Sequence, residues 1–224
     1  MRLLPEKNIL DEFCIKFCRL IERYTEYIIV SGFVVISSGR PRSTEDIDMI
    51  IPKQTKEKFF IIHENLEKEG FVCLQSNNYE EIYDYLINDT SVRYTLKNKP
   101  LPEMELKFTK DKLDDYQLKT KTKLELTGLD IWFSSIEMNI AFKENYLKSK
   151  KDLEDARYLR IVYEELINED EIYNIKKMIK ELRLWKIKEW HLLKIGQGML
   201  NRIRIGKMHI QSLLMHSLKN MKWY

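Results

Sequence analysis

The sequence predicts an α+β fold: a small mixed β-sheet with helices, followed by a helical C-terminal region. Three observations carry this. Short apolar runs bounded by turn residues alternate with amphipathic stretches as far as Phe133. From Ser135 onward the apolar residues recur at helical spacing. Of the 224 residues, 44% are hydrophobic and 11% aromatic, enough for a real core and too many for a disordered chain.

Residues 8–24 place Ile9, Phe13, Phe17, Leu20 and Ile21 on one stripe and read as a helix. Tyr27–Ser31 reads as a short buried strand, and Gly32 opens a short apolar helix ending near Gly39. Residues 39–45 form a loop by their Gly and Pro content. Asp46–Ile51 is a strand closed by Pro52, and Thr55–Glu69 an amphipathic helix stopped by Gly70. Phe71–Gln75 is a strand and Tyr79–Ile87 a helix. Ser91–Leu96 and Glu103–Phe108 are strands flanking a Lys-Asn-Lys-Pro turn. Lys123–Leu126 and Asp130–Phe133 suggest a hairpin around Thr127-Gly128. Helices are expected over 136–147, 151–167, 169–183, 186–203 and 207–222, with a main domain over 1–168 and a basic helical domain over 169–224.

Composition excludes several classes. Seven Gly and five Pro exclude a collagen-like or low-complexity chain. The longest apolar run, Tyr27 to Ser38, is about a dozen residues and is interrupted at Ser31-Gly32, whereas a membrane span needs about 20. Charges come too early in the first residues for a secretory signal, so a cytoplasmic protein with no membrane partner is expected. Cys14, Cys18 and Cys73 are an odd count without a Cys-x-x-Cys pair and read as buried small hydrophobes.

The net charge of +3 hides a step. Ile175 to Tyr224 holds twelve Lys/Arg against two acids, a net of +10, which leaves −7 for the rest. This basic stretch also carries Trp185, Trp190, Trp223 and Tyr224. Aromatics among cations suit RNA, while a helical appendage with solvated lysines is the plainer alternative. His191 and His209 have no partner at metal-ligand spacing, and Gly196-x-Gly198 is too short a signal for a nucleotide loop.

The chemistry concentrates between Ser31 and Ile51. Asp46 and Asp48 are two apart on a strand, so both point to one face, among the apolar Ile47, Met49 and Ile50. Paired carboxylates on such a strand need a cation or hydrogen bonds to be tolerated, and Mg²⁺ favours one or two carboxylates plus phosphate oxygens. Ser31-Gly32 ends a strand where backbone N–H groups can meet a phosphate chain. Arg40 and Arg42, in the loop before the acids, suit phosphate charge, and Thr44 is placed to cap or orient the strand start.

A strand-end glycine followed by Arg-x-x-x-Asp-x-Asp resembles the nucleotidyltransferase superfamily with the polymerase-beta-like fold, and most of all its AbiEii-type branch. The branch's Gly pair is here Ser31-Gly32. The resemblance implies a third carboxylate on a neighbouring strand, for which Glu105 is the candidate, with Glu103 on the same face. A second stretch resembles the branch's helical motif, with Lys143, Lys151, Asp152 and Asp155 at the matching positions. By analogy Lys143 contacts phosphate and Asp152 binds or orients the nucleotide or Lys143; the ordinary alternative has Asp152 capping a helix and Asp155 facing solvent. Together the matches span about residues 27–160.

The resemblance implies two-metal phosphoryl transfer. Asp46, Asp48 and Glu105 would hold Mg²⁺ (or Mn²⁺), an NTP would be the substrate, and an acceptor hydroxyl would receive the NMP. It also implies a toxin–antitoxin or phage-defence setting, with RNA (tRNA) as acceptor and a cognate antitoxin as partner. Two alternatives stay open. One is an aminoglycoside-like small-molecule acceptor, which the acids Glu80, Glu81 and Asp84 would suit. The other is a non-catalytic nucleotide-binding or partner-binding module on the same fold.

Overall fold

The computed structural model describes residues 8–42, 44 and 46–184. The elements run α1 (Ile9–Glu22), β1 (Ile28–Val30), α2 (Gly32–Ser37), β2 (Asp46–Ile51), α3 (Lys56–Lys68), β3 (Phe71–Cys73), α4 (Tyr79–Ile87), β4 (Val92–Leu96), β5 (Lys99–Phe108), α5 (Lys112–Lys119), α6 (Ile136–Phe142), α7 (Lys150–Val162) and α8 (Glu169–Ile179). The strands form one mixed sheet in the order β1-β2-β5-β4-β3. Only β2 and β5 pair in parallel, with Asp46 beside Glu103 and Asp48 beside Glu105. The α+β expectation holds.

Alternation along β2 and β5 gives the sheet two unlike faces. Ile47, Met49, Ile51, Met104, Leu106 and Phe108 are buried, and the intervening Asp46, Asp48, Glu103, Glu105 and Lys107 point the other way. The apolar face is covered by α1, α3 and α4 through aromatic side chains. Phe17 meets Phe71 at 5.1 Å and Tyr94 at 5.8 Å between ring centres, and Phe59 meets Phe108 at 5.9 Å and Tyr83 at 5.9 Å. On the acid-bearing face, Ile28, Val30 and Ile50 bury against Leu118 of α5. Cys14, Cys18 and Cys73 are buried. Among the described residues no helix is long and apolar enough to cross a membrane.

Several elements differ from expectation. The proposed hairpin at Thr127-Gly128 is a 3₁₀ turn, Glu125–Thr127, closed by Gly128 at φ +67°. Thr127 Oγ1 donates to the Leu124 carbonyl at 2.7 Å, which holds the turn, and the flanking segments share a single bridge between Thr122 and Phe133. The opposite edge of Phe133 joins β1: Ile29 N donates to Trp132 O and Ser134 N to Ile29 O, each at 2.9 Å. Helix α5 was not expected; it starts at Asp111, whose carboxylate accepts from the N–H groups of Leu113 and Asp114. β5 begins earlier than expected, because Leu96 already pairs with Lys99 across a turn that holds Asn98 at φ +64°. The expected helix 136–147 is α6 followed by a π-helical turn, Lys143–Leu147.

One compact unit extends to Ile179, past the boundary expected at 168/169, because Ile172, Ile175 and Ile179 bury one side of α8, which packs on α6. A second unit begins at Lys180, where Lys180–Leu184 form a π-helical turn. The expected helices 186–203 and 207–222, with the tryptophans and histidines of that stretch, lie outside the described residues.

Candidate active site

The site is built first from strand alternation. Asp46 and Asp48 occupy successive outward positions of β2. Thr44 Oγ1 donates to Asp46 Oδ1 at 2.8 Å and to the Asp46 carbonyl at 3.1 Å, at the start of the strand. The Asp48 side chain is 20% exposed, and Lys107 Nζ lies 3.5 Å from its Oδ1. Burial pushes the Asp48 carboxyl above its ordinary pKa; Lys107 opposes the rise, while Glu105 and Asp46 add to it. Glu105 is in register with Asp48, and Arg93 of β4 is in register with Glu105. The Arg93 guanidinium stands 3.4 Å from Glu105 and 3.6 Å from Glu103.

A group of cations faces this strand from the helical side. Asp155 of α7 is fully buried and gathers three of them. Lys143 Nζ donates to Asp155 Oδ2 at 2.9 Å and to Asp152 Oδ1 at 3.4 Å. Arg42 Nη1 donates to Asp155 Oδ2 at 2.5 Å. Arg40 pairs with Asp155 Oδ1 and, at 3.1 Å, with Glu154. Lys143 is 2% exposed; burial pulls its pKa down, the Asp152 charge opposes this, and Arg42 adds to it. The guanidinium of Arg42 is likewise pulled down by burial and by Arg40. Its Nε is buried and has no hydrogen-bond acceptor among the described residues.

The turn between β1 and α2 supplies the floor. A Cβ on Gly32 would stand 2.9 Å from Arg42 Nη2, so the glycine is what lets the guanidinium rest on the backbone. Ser31 holds φ +65° and ψ −127°, a conformation that costs a non-glycine residue about 1–3 kcal/mol. The strained residue is thus part of the cleft lining.

A cleft of about 310 Å³ joins these parts, lined by Ser31, Gly32, Arg42, Thr44, Asp46, Asp48, Lys143, Leu147, Lys151 and Asp152. Nine of these residues were singled out in the sequence. Arg40 and Glu105 do not line it: Arg40 pairs with Asp155 and Glu154, and Glu105 is beside Asp48 on the sheet. Asp155 does not face solvent, and the cap of α7 is Ser149, whose hydroxyl accepts from Asp152 N at 3.1 Å. Sequence reasoning missed Leu147, the counter-ions Lys107 and Arg93, and the buried role of Asp155. Lys107 was legible in principle, since it follows Glu105 by two on the same strand face.

Among the described residues no group of three or more His, Cys, Asp or Glu side chains is placed to hold one metal ion. Asp46, Asp48 and Glu105 therefore do not close into a ready trio, and the Arg93 guanidinium lies 3.4 Å from Glu105. The pair Asp46 and Asp48 does fit a hard divalent cation: both donors are carboxylate oxygens on one face, and the partly buried Asp48 lacks a full hydration shell. Such an ion would take its other oxygens from a phosphate chain in the cleft.

No protein-family profile matches the chain, and no curated protein matches it. Among solved structures it is similar to an antigenic nucleotidyltransferase-like protein from Paracoccidioides brasiliensis, with 18% identity over 78% of this chain and 88% of that one, and a TM-score of 0.49. It is also similar to the antibiotic-resistance factor ANT(2″)-Ia. The solution structure gives 13% identity over 81% of this chain and 98% of that one, TM-score 0.47. The crystal structure with adenylyl-2″-tobramycin gives 13% over 78% and 98%, TM-score 0.48.

Proposed function

We propose that this protein is a magnesium-dependent nucleotidyltransferase that moves an NMP group from an NTP to an acceptor hydroxyl. The observation that carries the reading is the cleft itself: two outward carboxylates of β2, Asp46 and Asp48, face the cations Arg42 and Lys143 across a space of about 310 Å³. Acids that suit a divalent ion and cations that suit phosphate, in one cleft, are what a metal–triphosphate complex needs.

In this reading Arg42, Lys143 and the backbone at Ser31-Gly32 hold the triphosphate. Asp152 keeps Lys143 pointed at it, and Arg40 acts through Asp155. Asp46 and Asp48 hold Mg²⁺ (or Mn²⁺), which when bound supplies Lewis-acid stabilisation of the phosphate oxygens. Glu105, exchanged from Arg93, takes the proton of the acceptor hydroxyl. That oxygen attacks the α-phosphorus, the bond to the bridging β-phosphate oxygen breaks, and pyrophosphate leaves. Positioning and charge neutralisation account for most of the rate.

RNA (tRNA) is the proposed acceptor, in a toxin–antitoxin or phage-defence setting with an antitoxin protein as partner. The net charge of +10 over Ile175–Tyr224 and the resemblance to the AbiEii-type branch support it. The pairing of Glu105 with Arg93 favours a second reading, a nucleotide-binding module without transfer. The deciding experiment incubates the protein with each labelled NTP and Mg²⁺, together with either total RNA or an aminoglycoside. Label on a discrete RNA is expected, and Asp48→Asn should lower it by about 100-fold or more with the melting transition retained. Nucleotide binding without pyrophosphate release would support the module, and label on an aminoglycoside instead of RNA would replace the acceptor.

A further inference from the structure

The acid-bearing face of the sheet carries its own cations. Glu103, Glu105 and Lys107 follow at every second position of β5 and lie beside Asp46, Asp48 and Ile50 of β2. Lys107 Nζ is 3.5 Å from Asp48 Oδ1, and Arg93 spans Glu105 and Glu103 from β4. Four carboxylates thus meet two cations. The remaining two negative charges equal what one divalent ion carries.

A second divalent ion on this face would need Asp48 and Glu105 as shared ligands. Asp48 Oδ1 already faces an ammonium, which would repel such an ion. The lysine is built for this post. Its side chain is 36% exposed and its ammonium is paired with Asp48, so no unpaired charge is buried there.

We propose that Lys107 is a resident counter-ion that takes the place of one divalent ion, so that the site loads a single ion, against Asp46 and Asp48, for each bound nucleotide. This rests on the nucleotidyltransferase reading above and sets one ion in place of the two that the resemblance implies. Lys107 then neutralises Asp48 from the sheet side, while Arg42 and Lys143 meet the phosphates from the helical side.

The test counts ions. Mn²⁺ is titrated into the full-length protein saturated with α,β-methylene-ATP, which cannot transfer its nucleotide. Free Mn²⁺ is followed by electron paramagnetic resonance against a nucleotide-only blank. Wild type and Lys107→Arg should each hold one Mn²⁺ in the complex; Lys107→Gln and Lys107→Met should hold two. Two ions in wild type, or one ion in both neutral variants, would overturn the inference. Circular dichroism melts check that the variants fold; if the neutral ones do not, the counts for wild type and Lys107→Arg decide. A fluorescent ATP analogue reports nucleotide binding separately. Binding with two ions removes only this inference, whereas no nucleotide binding removes the transferase reading and this inference with it.

Discussion

Asp155 is the residue on which most of the site's charge converges. It is fully buried, and Arg40, Arg42 and Lys143, which are 17%, 13% and 2% exposed, all pair with it. Removing one partner of a buried ion pair leaves the other charge uncompensated, at a cost of about 3–5 kcal/mol. Asp155→Ala should therefore lose about that much stability in urea denaturation, and a loss below about 1 kcal/mol would show that the cations re-pair elsewhere. The spacing of Asp152 and Asp155 was readable in the sequence, as was their likeness to a known helical motif. The direction of Asp155 was not: three positions apart on a helix puts two residues on neighbouring faces, and the packing of α7 on α2 and α6 decides which one turns inward.

At the scale of elements, α3 is joined to the sheet by a buried histidine. His63 Nδ1 and the Tyr94 hydroxyl are 2.9 Å apart, and Glu67 lies 3.6 Å from Nε2. Burial lowers the His63 pKa, with Glu67 and Glu64 opposing. The unfolded chain takes up this proton near about pH 6.5, the folded chain only below that. The stabilisation is therefore complete above about pH 6.5 and is lost as the pH falls through the folded value. The urea midpoint should drop between about pH 7.5 and about pH 5, and His63→Gln should flatten the drop; an equal drop in the variant would assign it to other groups. Elements such as β2 and α4 matched their expected bounds because alternation and capping residues mark them locally. The 3₁₀ turn at Thr127 and helix α5 were missed. In the first a threonine hydroxyl decides the backbone; in the second Leu113, Gln117 and Leu118 make too sparse a stripe to announce a helix.

For the whole molecule, charge distribution is the property that bears on the acceptor. An RNA held by the basic stretch releases counter-ions on binding, so its affinity should fall steeply with salt. For about 6–10 phosphate contacts, the loss between about 50 and 200 mM salt is of the order of 10³-fold or more. Fluorescence anisotropy with labelled tRNA measures this. A salt-independent affinity would remove RNA as the partner of that stretch and leave transfer to a small molecule as the stronger account.

The sequence by itself determined the strand that offers Asp46 and Asp48, the turn at Gly32, the helix that carries Lys143 and the basic stretch beyond Ile175. Each is written in local terms: alternation by two, a glycine at a strand end, helical periodicity, a run of charge. Only the tertiary structure decided that Arg42 meets Asp155 across 113 positions of chain, that Glu105 turns to Arg93, and that Lys107 stands at Asp48. Those meetings follow from strand register and from the way helices stack on the sheet, and no local pattern records which of two like-charged neighbours a side chain will face.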